Sequence, residues 1–392
     1  MNTPPSISTP SPAEPVRSPR YAVLDFARLA AVFMMIQGHA MGTFVINAQI
    51  PSEGFGGAVY TWLRGLTSPT FLLISGIVNF VGIKRDETGR VLPRILRKRV
   101  RRALMLVLID YLLIFPCNRV WDLFTLKPEQ WFAFFRVGTL NIIGVSLLLV
   151  TGLMAVTRSN RSFLAWSIAI GAGITIATPY VHQVDWFTIL PPYFAHYLSF
   201  KGGGSFSIFP HTAYLFIGAG LGGYALRLLR DPQPWKFAFR FGEVGIALVI
   251  VTLAGWLVGN RWLPQHEYWL SSPFMVGEKI GLAMVMICLY SVVFHFTEGA
   301  ADFYSRLSRK NIHIYVAHIL VIFGNTWVWS LSRLWHNNLS IWQGIPATLL
   351  VLALSYGIGI AIVQTERHQQ KVFAAARVVF ASVLVLFLLI GT

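Results

Sequence analysis

The sequence predicts an all-α fold, a polytopic transmembrane helical bundle of about 10 to 11 spans with a cytoplasmic N-terminus. Three observations lead there. Hydrophobic residues make up 55% of the 392 and charged residues only 12%, with a mean hydropathy of +0.59. Apolar runs close to the ~20 residues that a helix needs to cross a bilayer recur along the whole chain. Basic residues gather in every second connection, which is the arrangement of cytoplasmic loops. The formal charge of +16 would suggest nucleic acid in a soluble protein. Here it is mainly loop charge, so membrane lipid is the expected partner and nucleic acid is not.

Residues 1–20, rich in Pro and Ser without an apolar core, read as a disordered cytoplasmic tail. No signal peptide is expected, because the first apolar run is long and no short one precedes a small-residue cleavage site. Spans are then expected at about 21–45, 56–83, 100–117, 133–156, 162–180, 209–229, 241–259, 273–297, 312–332, 343–363 and 372–391. With the N-terminus inside, the inner connections hold Arg17 and Arg20, nine Lys/Arg between 84 and 102, and further basic residues near 160, 235, 308 and 369. The outer loops hold only Arg119, Lys127, Lys201, Arg261 and Arg333. The chain thus divides into the tail 1–20, a bundle over 21–363, and a peripheral C-terminal helix within 364–392 that carries no chemistry. Cys117 and Cys288 lack a paired spacing and read as small apolar residues, with no disulfide.

The first span, YAVLDFARLAAVFMMIQGHAMGTFV, organises the rest. Ionisable groups at membrane depth need partners or a watery cavity. Asp25 and Arg28 are three apart and share a face. His39 lies three turns beyond Arg28 on nearly the same face, with a rise of roughly 16 Å between them. Such a wall suits a long, thin ligand with a charged head and a reactive tip. The second span holds LTSPTFLLISGIVNF, in which Pro69 sits among Ser68, Thr70, Ser75 and Gly76. These small groups suit tight packing against the first helix, a kinked channel wall, or both. The following run 84–102 contains Arg94, Arg97, Lys98, Arg101 and Arg102. Arg suits phosphate oxygens through its planar fork, so the run is either a plain cytoplasmic loop facing anionic lipid or a landing site for a phosphorylated ligand.

Elsewhere the residues leave alternatives open. Asp110, in the third span, either pairs with Arg28, orients His39, or bonds a neighbouring helix. Arg64, in the outer half of the second span, is expected to answer Glu278, with Lys279 meeting another helix. His211, at the start of the sixth span, faces the outer side, and His318 is placed about two turns into the ninth from the inner side. The loop 181–208 carries His182, Asp185 and His196, but no spacing there closes a metal site.

The chain resembles a known family at this point. Leu24, Asp25, Arg28, Ala31, Met35 (or its neighbour) and His39, followed by LTSPTFLLISG, are similar to the opening of the heparan-alpha-glucosaminide N-acetyltransferase family. They also resemble the wider transmembrane acyltransferase superfamily, which includes polysaccharide O-acetylases. FRVGTLNIIGVSLLL (135–149), FPHTAYLFIGAGLGGY (209–224) and LSRKNIHIYVAHIL (307–320) follow in the family's order. The loop 46–58 lacks the histidine that animal lysosomal members carry there.

The resemblance implies transfer of an acyl group, acetyl above all, from cytoplasmic acyl-CoA to an extracytoplasmic glycan or small-molecule acceptor. It implies His39 in catalysis and Arg28 on the CoA side. Arg94, Arg97, Lys98, Arg101 and Arg102 are expected to help hold the CoA head; His211, Arg64 and Lys279 to meet the acceptor; and Asp25, Asp110, Ser75 and His318 to support the site. Acetyl-CoA is the expected donor, no metal is expected, and the inner cell membrane is the expected location. Homo-oligomer formation is left open. The competing readings are a transporter or flippase of an anionic or lipid-linked solute, and a sensor that kept the fold without the activity. The charged first span is not repeated in the second half, as paired transporter halves would require.

Overall fold

The computed structural model describes residues 21–50, 54–368 and 370–390; the expected tail 1–20 lies outside them. The described residues are helical, with no strand and only two isolated bridges, Val45–Leu339 and Arg85–Val91. Twelve helices of eight or more residues follow in order. They are α1 Ala22–Phe44, α2 Gly54–Val81, α3 Pro93–Leu113, α4 Thr139–Val156, α5 Asn160–Gln183, α6 Ile208–Leu229, α7 Pro234–Gly259, α8 Pro273–His295, α9 Ala301–Ser308, α10 Asn311–Ile322, α11 Ile341–His368 and α12 Gln370–Ile390.

Seven of these, α1, α4, α5, α6, α7, α8 and α11, are long and apolar enough to cross a membrane. The other four expected spans are present in altered form. α2 is 28 residues long, but Arg64 and its Ser, Thr and Asn residues dilute its hydropathy. α3 begins in the basic run, so only its second half is apolar. The expected 312–332 helix stops at Ile322, where Gly324 adopts φ +65° and its N–H donates to the Ile319 and Leu320 carbonyls, closing the helix end. α12 packs on α11 and on the 120–125 turn.

α1 lies at the centre, touching α2, α8, α9, α10 and α11. Tyr356 of α11 donates to the Leu29 carbonyl at 2.7 Å. Glycines set how closely the surrounding helices approach. A Cβ on Gly76 of α2 would collide with the Leu215 carbonyl of α6, and one on Gly218 of α6 with the Leu73 carbonyl of α2. The two backbones therefore touch directly, as small residues permit in membranes. The tight partner of α2 is thus α6, and the close packing expected against α1 is not where Gly76 points. Gly245 and Gly281 make a second reciprocal seam between α7 and α8. Packed this way, α2 and α6 form a fixed wall, and α1, α3 and α10 enclose a cavity against it.

Candidate functional site

The cavity has a volume of about 1200 Å³, more than the roughly 300–1,000 Å³ of ordinary small-ligand pockets. It has room for a long ligand and a second one. At one end it is lined by Lys84, Arg94, Lys98, Arg99, Arg102 and Asn79; the waist is apolar, with Met35, Phe71, Leu72, Leu106 and Ile143; at the other end stand His39, Arg64, Lys279 and His211. Arg28 lines it on α1.

The helical period explains the choice made on α1. Arg28 and His39 are 11 residues apart, close to three full turns, so both face the same space. Asp25, 6% exposed, is turned from the cavity far enough to accept a bond from Ser305 Oγ of α9 at 3.0 Å. The expected single face therefore holds for Arg28 and His39 in the lining, with Asp25 tying α1 to α9.

The same geometry sorts the basic run. Positions 94, 98 and 102 are four apart, and 95, 99 and 106 lie beside them on one face of α3. Arg94, Lys98 and Arg102 line the cavity. Arg97 and Arg101 are exposed and are not among the residues that line the cavity. Arg99 lines the cavity as well. Its guanidinium bonds Asn79 of α2 twice, through the side-chain oxygen and, at 2.8 Å, through the carbonyl. The signal for Arg99 was its i, i+4 relation to Ile95. The turn before α3 is itself pinned, with Arg85 donating to Gly89 O at 2.8 Å and Asn160 Oδ1 at 2.9 Å.

His39 has a partner that no local pattern foretold. Its Nδ1 lies 3.1 Å from Nε2 of His318 on α10. The rings stack with centroids 5.3 Å apart. His318 is fully buried, flanked by Tyr315 at 5.0 Å. One nitrogen of the pair donates and the other accepts. With Nδ1 committed, His39 has Nε2 left for a ligand.

Asp110 lies at the helix end that the sequence could not choose for it. Its Oδ2 accepts from the Asn141 backbone at 3.2 Å, and a Cβ on Gly138 would strike the same carboxylate. A carboxylate is favoured at a helix N-terminus, where free N–H groups and the dipole meet it. Asp110 therefore caps α4 from α3 and still lines the cavity. Ser75 lines the cavity from α2, and its carbonyl accepts from Asn79 at 3.1 Å.

At the His39 end, Arg64 runs along α1. Its Cγ is 3.7 Å from a Cβ built on Gly38, and its Nη2 is 2.8 Å from one built on Gly42. The Arg64–Glu278 pair expected from sequence is not made. Glu278 is 4% exposed and accepts from Tyr268 at 2.5 Å instead, because adjacent residues on α8 face apart and only Lys279 reaches the cavity. His211 Nδ1 lies 3.1 Å from the Ser207 carbonyl; Ser205 and Phe206 beside it also line this end.

The sequence profile of the heparan-alpha-glucosaminide N-acetyltransferase catalytic domain matches residues 20–246, which is more than half of the chain. The match takes in α1 to the first half of α7 and thus Arg28, His39, Arg64, the basic run, Asp110 and His211; Lys279 and His318 lie beyond it. No curated protein sequence matches the chain.

Proposed function

The chain belongs to the heparan-alpha-glucosaminide N-acetyltransferase family, whose members are membrane acetyltransferases, and on that footing we propose that it moves an acetyl group from cytoplasmic acetyl-CoA to an extracytoplasmic glycan or similar acceptor. One observation carries the reading: a single cavity joins a cluster of cations at one end to a half-buried histidine at the other. Under the positive-inside rule the cation end is cytoplasmic and the histidine end faces outward in a cell membrane. Arg28, Arg94, Lys98, Arg99 and Arg102 present charge and planar forks to the CoA phosphates. The pantetheine arm follows the apolar waist, and the thioester reaches His39 across the roughly 16 Å that separates it from Arg28 on the helix.

His39 Nε2 then starts the reaction. As general base it takes the proton of the acceptor hydroxyl or amine while that atom attacks the thioester carbon. The tetrahedral intermediate collapses, the carbon–sulfur bond breaks, and the imidazolium returns the proton to the CoA sulfur. As acyl carrier, the same nitrogen attacks the thioester carbon and expels CoA thiolate to leave an acetyl-imidazole; the acceptor then attacks that carbonyl, the C–N bond breaks back to imidazole, and the acceptor's proton goes to the thiolate. Both routes begin at one atom. In this reading His39 carries its proton on Nδ1 and donates it to His318 Nε2, 3.1 Å away, which leaves Nε2 as the free nitrogen.

Acetyl-CoA binding to the detergent-purified chain, followed by calorimetry with 3′,5′-ADP as competitor, tests the reading without knowledge of the acceptor. Arg28→Ala should weaken binding, whereas His39→Ala should keep binding and abolish transfer. Absence of binding by folded protein would sink the donor assignment, and vesicle transport assays would then address the competing transporter.

A further inference from the structure

The cavity carries cations at both ends, and the donor accounts for one end only. We infer that the His39 end is a second anion site, so that the acceptor carries a carboxylate or phosphate close to the hydroxyl or amine that is acetylated, held by Arg64 and Lys279. This rests on the acetyl-transfer reading above.

Arg64 comes from α2 and Lys279 from α8, and both line the cavity. Lys279 Cε is 4.0 Å from a Cβ built on Gly65, the neighbour of Arg64. The guanidinium lies over Gly42, three residues past His39 on α1, where the missing side chain leaves it room. Arg64 thus stands beside His39 and Lys279 beside His211, at the same end of the cavity.

No Asp or Glu among the described residues forms an ion pair with either one. Glu278, next to Lys279 in sequence, is occupied by Tyr268. Asp110, the one carboxylate in the lining, is spent on the α4 terminus. Glu278 gives Lys279 part of its counter-charge, whereas Arg64 has no carboxylate partner among the described residues, and a cation at membrane depth without one is costly. The donor does not bring that charge, because its thioester end is neutral and its phosphates lie with the basic cluster far along α1. An anion on the acceptor answers both cations at once. Arg64 offers a fork to two oxygens and Lys279 a point charge to a third, which is the complement of a carboxylate or phosphate.

The test uses the full chain in detergent and matched acceptors: glucosamine against glucosamine 6-phosphate, and glucose against glucuronate. Thiol release from acetyl-CoA gives kcat/KM for each. The charged member of a pair should be favoured by about 10- to 100-fold, the size of one or two charge-assisted bonds. The double variant Arg64→Gln, Lys279→Gln should erase that preference while acetyl-CoA binding, which also reports the fold, stays unchanged. Inorganic phosphate and glucuronate should bind the acetyl-CoA complex saturably in calorimetry, and the double variant should not bind them. Phosphate binding without any preference among acceptors would mean a free-ion site and would overturn the inference. So would equal use of charged and neutral acceptors with no anion binding, or a double variant that loses acetyl-CoA instead. If the unaltered chain binds no acetyl-CoA, the acetyl-transfer reading itself falls.

Discussion

Replacing His318 with Leu separates a positioning role from mere packing. The substitution removes the Nε2 atom that lies 3.1 Å from His39 Nδ1 and leaves an apolar side chain of similar bulk in a fully buried site. The His39 Nδ1–H then has no acceptor. A buried donor left unmade costs about 1–3 kcal/mol. At about 1.4 kcal/mol per tenfold, the fraction of His39 rings that present Nε2 to the cavity should fall roughly 5- to 150-fold. Transfer under saturating acetyl-CoA should slow to that extent, while acetyl-CoA binding stays within about twofold, because the CoA head lies roughly three helical turns away. His318→Gln restores an acceptor oxygen and should recover most of the loss. The assay is thiol release from acetyl-CoA in single-turnover mode, with calorimetry and thermal unfolding alongside. Unaltered turnover in His318→Leu would refute the reasoning. So would loss of turnover in His318→Gln as deep as in His318→Leu, since a shape role would not distinguish an acceptor from a methyl group.

Arg99→Ala should weaken acetyl-CoA binding by about 10- to 100-fold, as loss of a charge-assisted contact does, whereas Arg97→Ala and Arg101→Ala, outside the cavity lining, should change it less than about threefold; calorimetry on the three proteins decides. Gly218→Leu should destabilise the protein by at least about 1–3 kcal/mol or prevent folding through overpacking against α2, and Gly173→Ala, which meets nothing within 4 Å, should be neutral by thermal unfolding in detergent. The Asp86 carboxyl is held below the usual carboxylate range, chiefly by the Thr88 hydroxyl and then by backbone bonds from Arg90 and Thr88. A depressed value stabilises the 84–92 turn above the ordinary carboxylate pKa and releases it as pH falls through the native one. Limited proteolysis within 84–92 should therefore stay slow at neutral pH and accelerate on acidification, and Asp86→Asn should remove that dependence.

Much of the fold was legible because hydropathy and loop charge are local properties of the chain. The site divided along the same line. Arg28 and His39 share a cavity because a period of 3.6 is all that their alignment requires. The basic run is legible from its charge, but charge alone does not tell Arg94, Lys98, Arg99 and Arg102, which line the cavity, from Arg97 and Arg101, which do not. His318 is 279 residues from His39, and no spacing rule reaches so far. Asp110 had several chemically acceptable partners. Its choice of the α4 terminus depends on where α3 meets α4, which is a tertiary fact. Arg64 and Glu278 were a sensible pair by sign, but the direction each leaves its helix separates them.

The meeting of Gly76 with Gly218 also bears on how this molecule moves. Side-chain contacts can slide by exchanging rotamers; a seam of backbone on backbone has no rotamers to exchange. α2 and α6 should therefore travel as one rigid spine, and any breathing that admits ligands falls to α1, α3 and α10 on the opposite side. Those helices carry Arg28, the α3 cations and the His39–His318 couple. Admission of a ligand and alignment of the reacting nitrogen would then belong to a single motion, in which the spine supplies the fixed frame of reference.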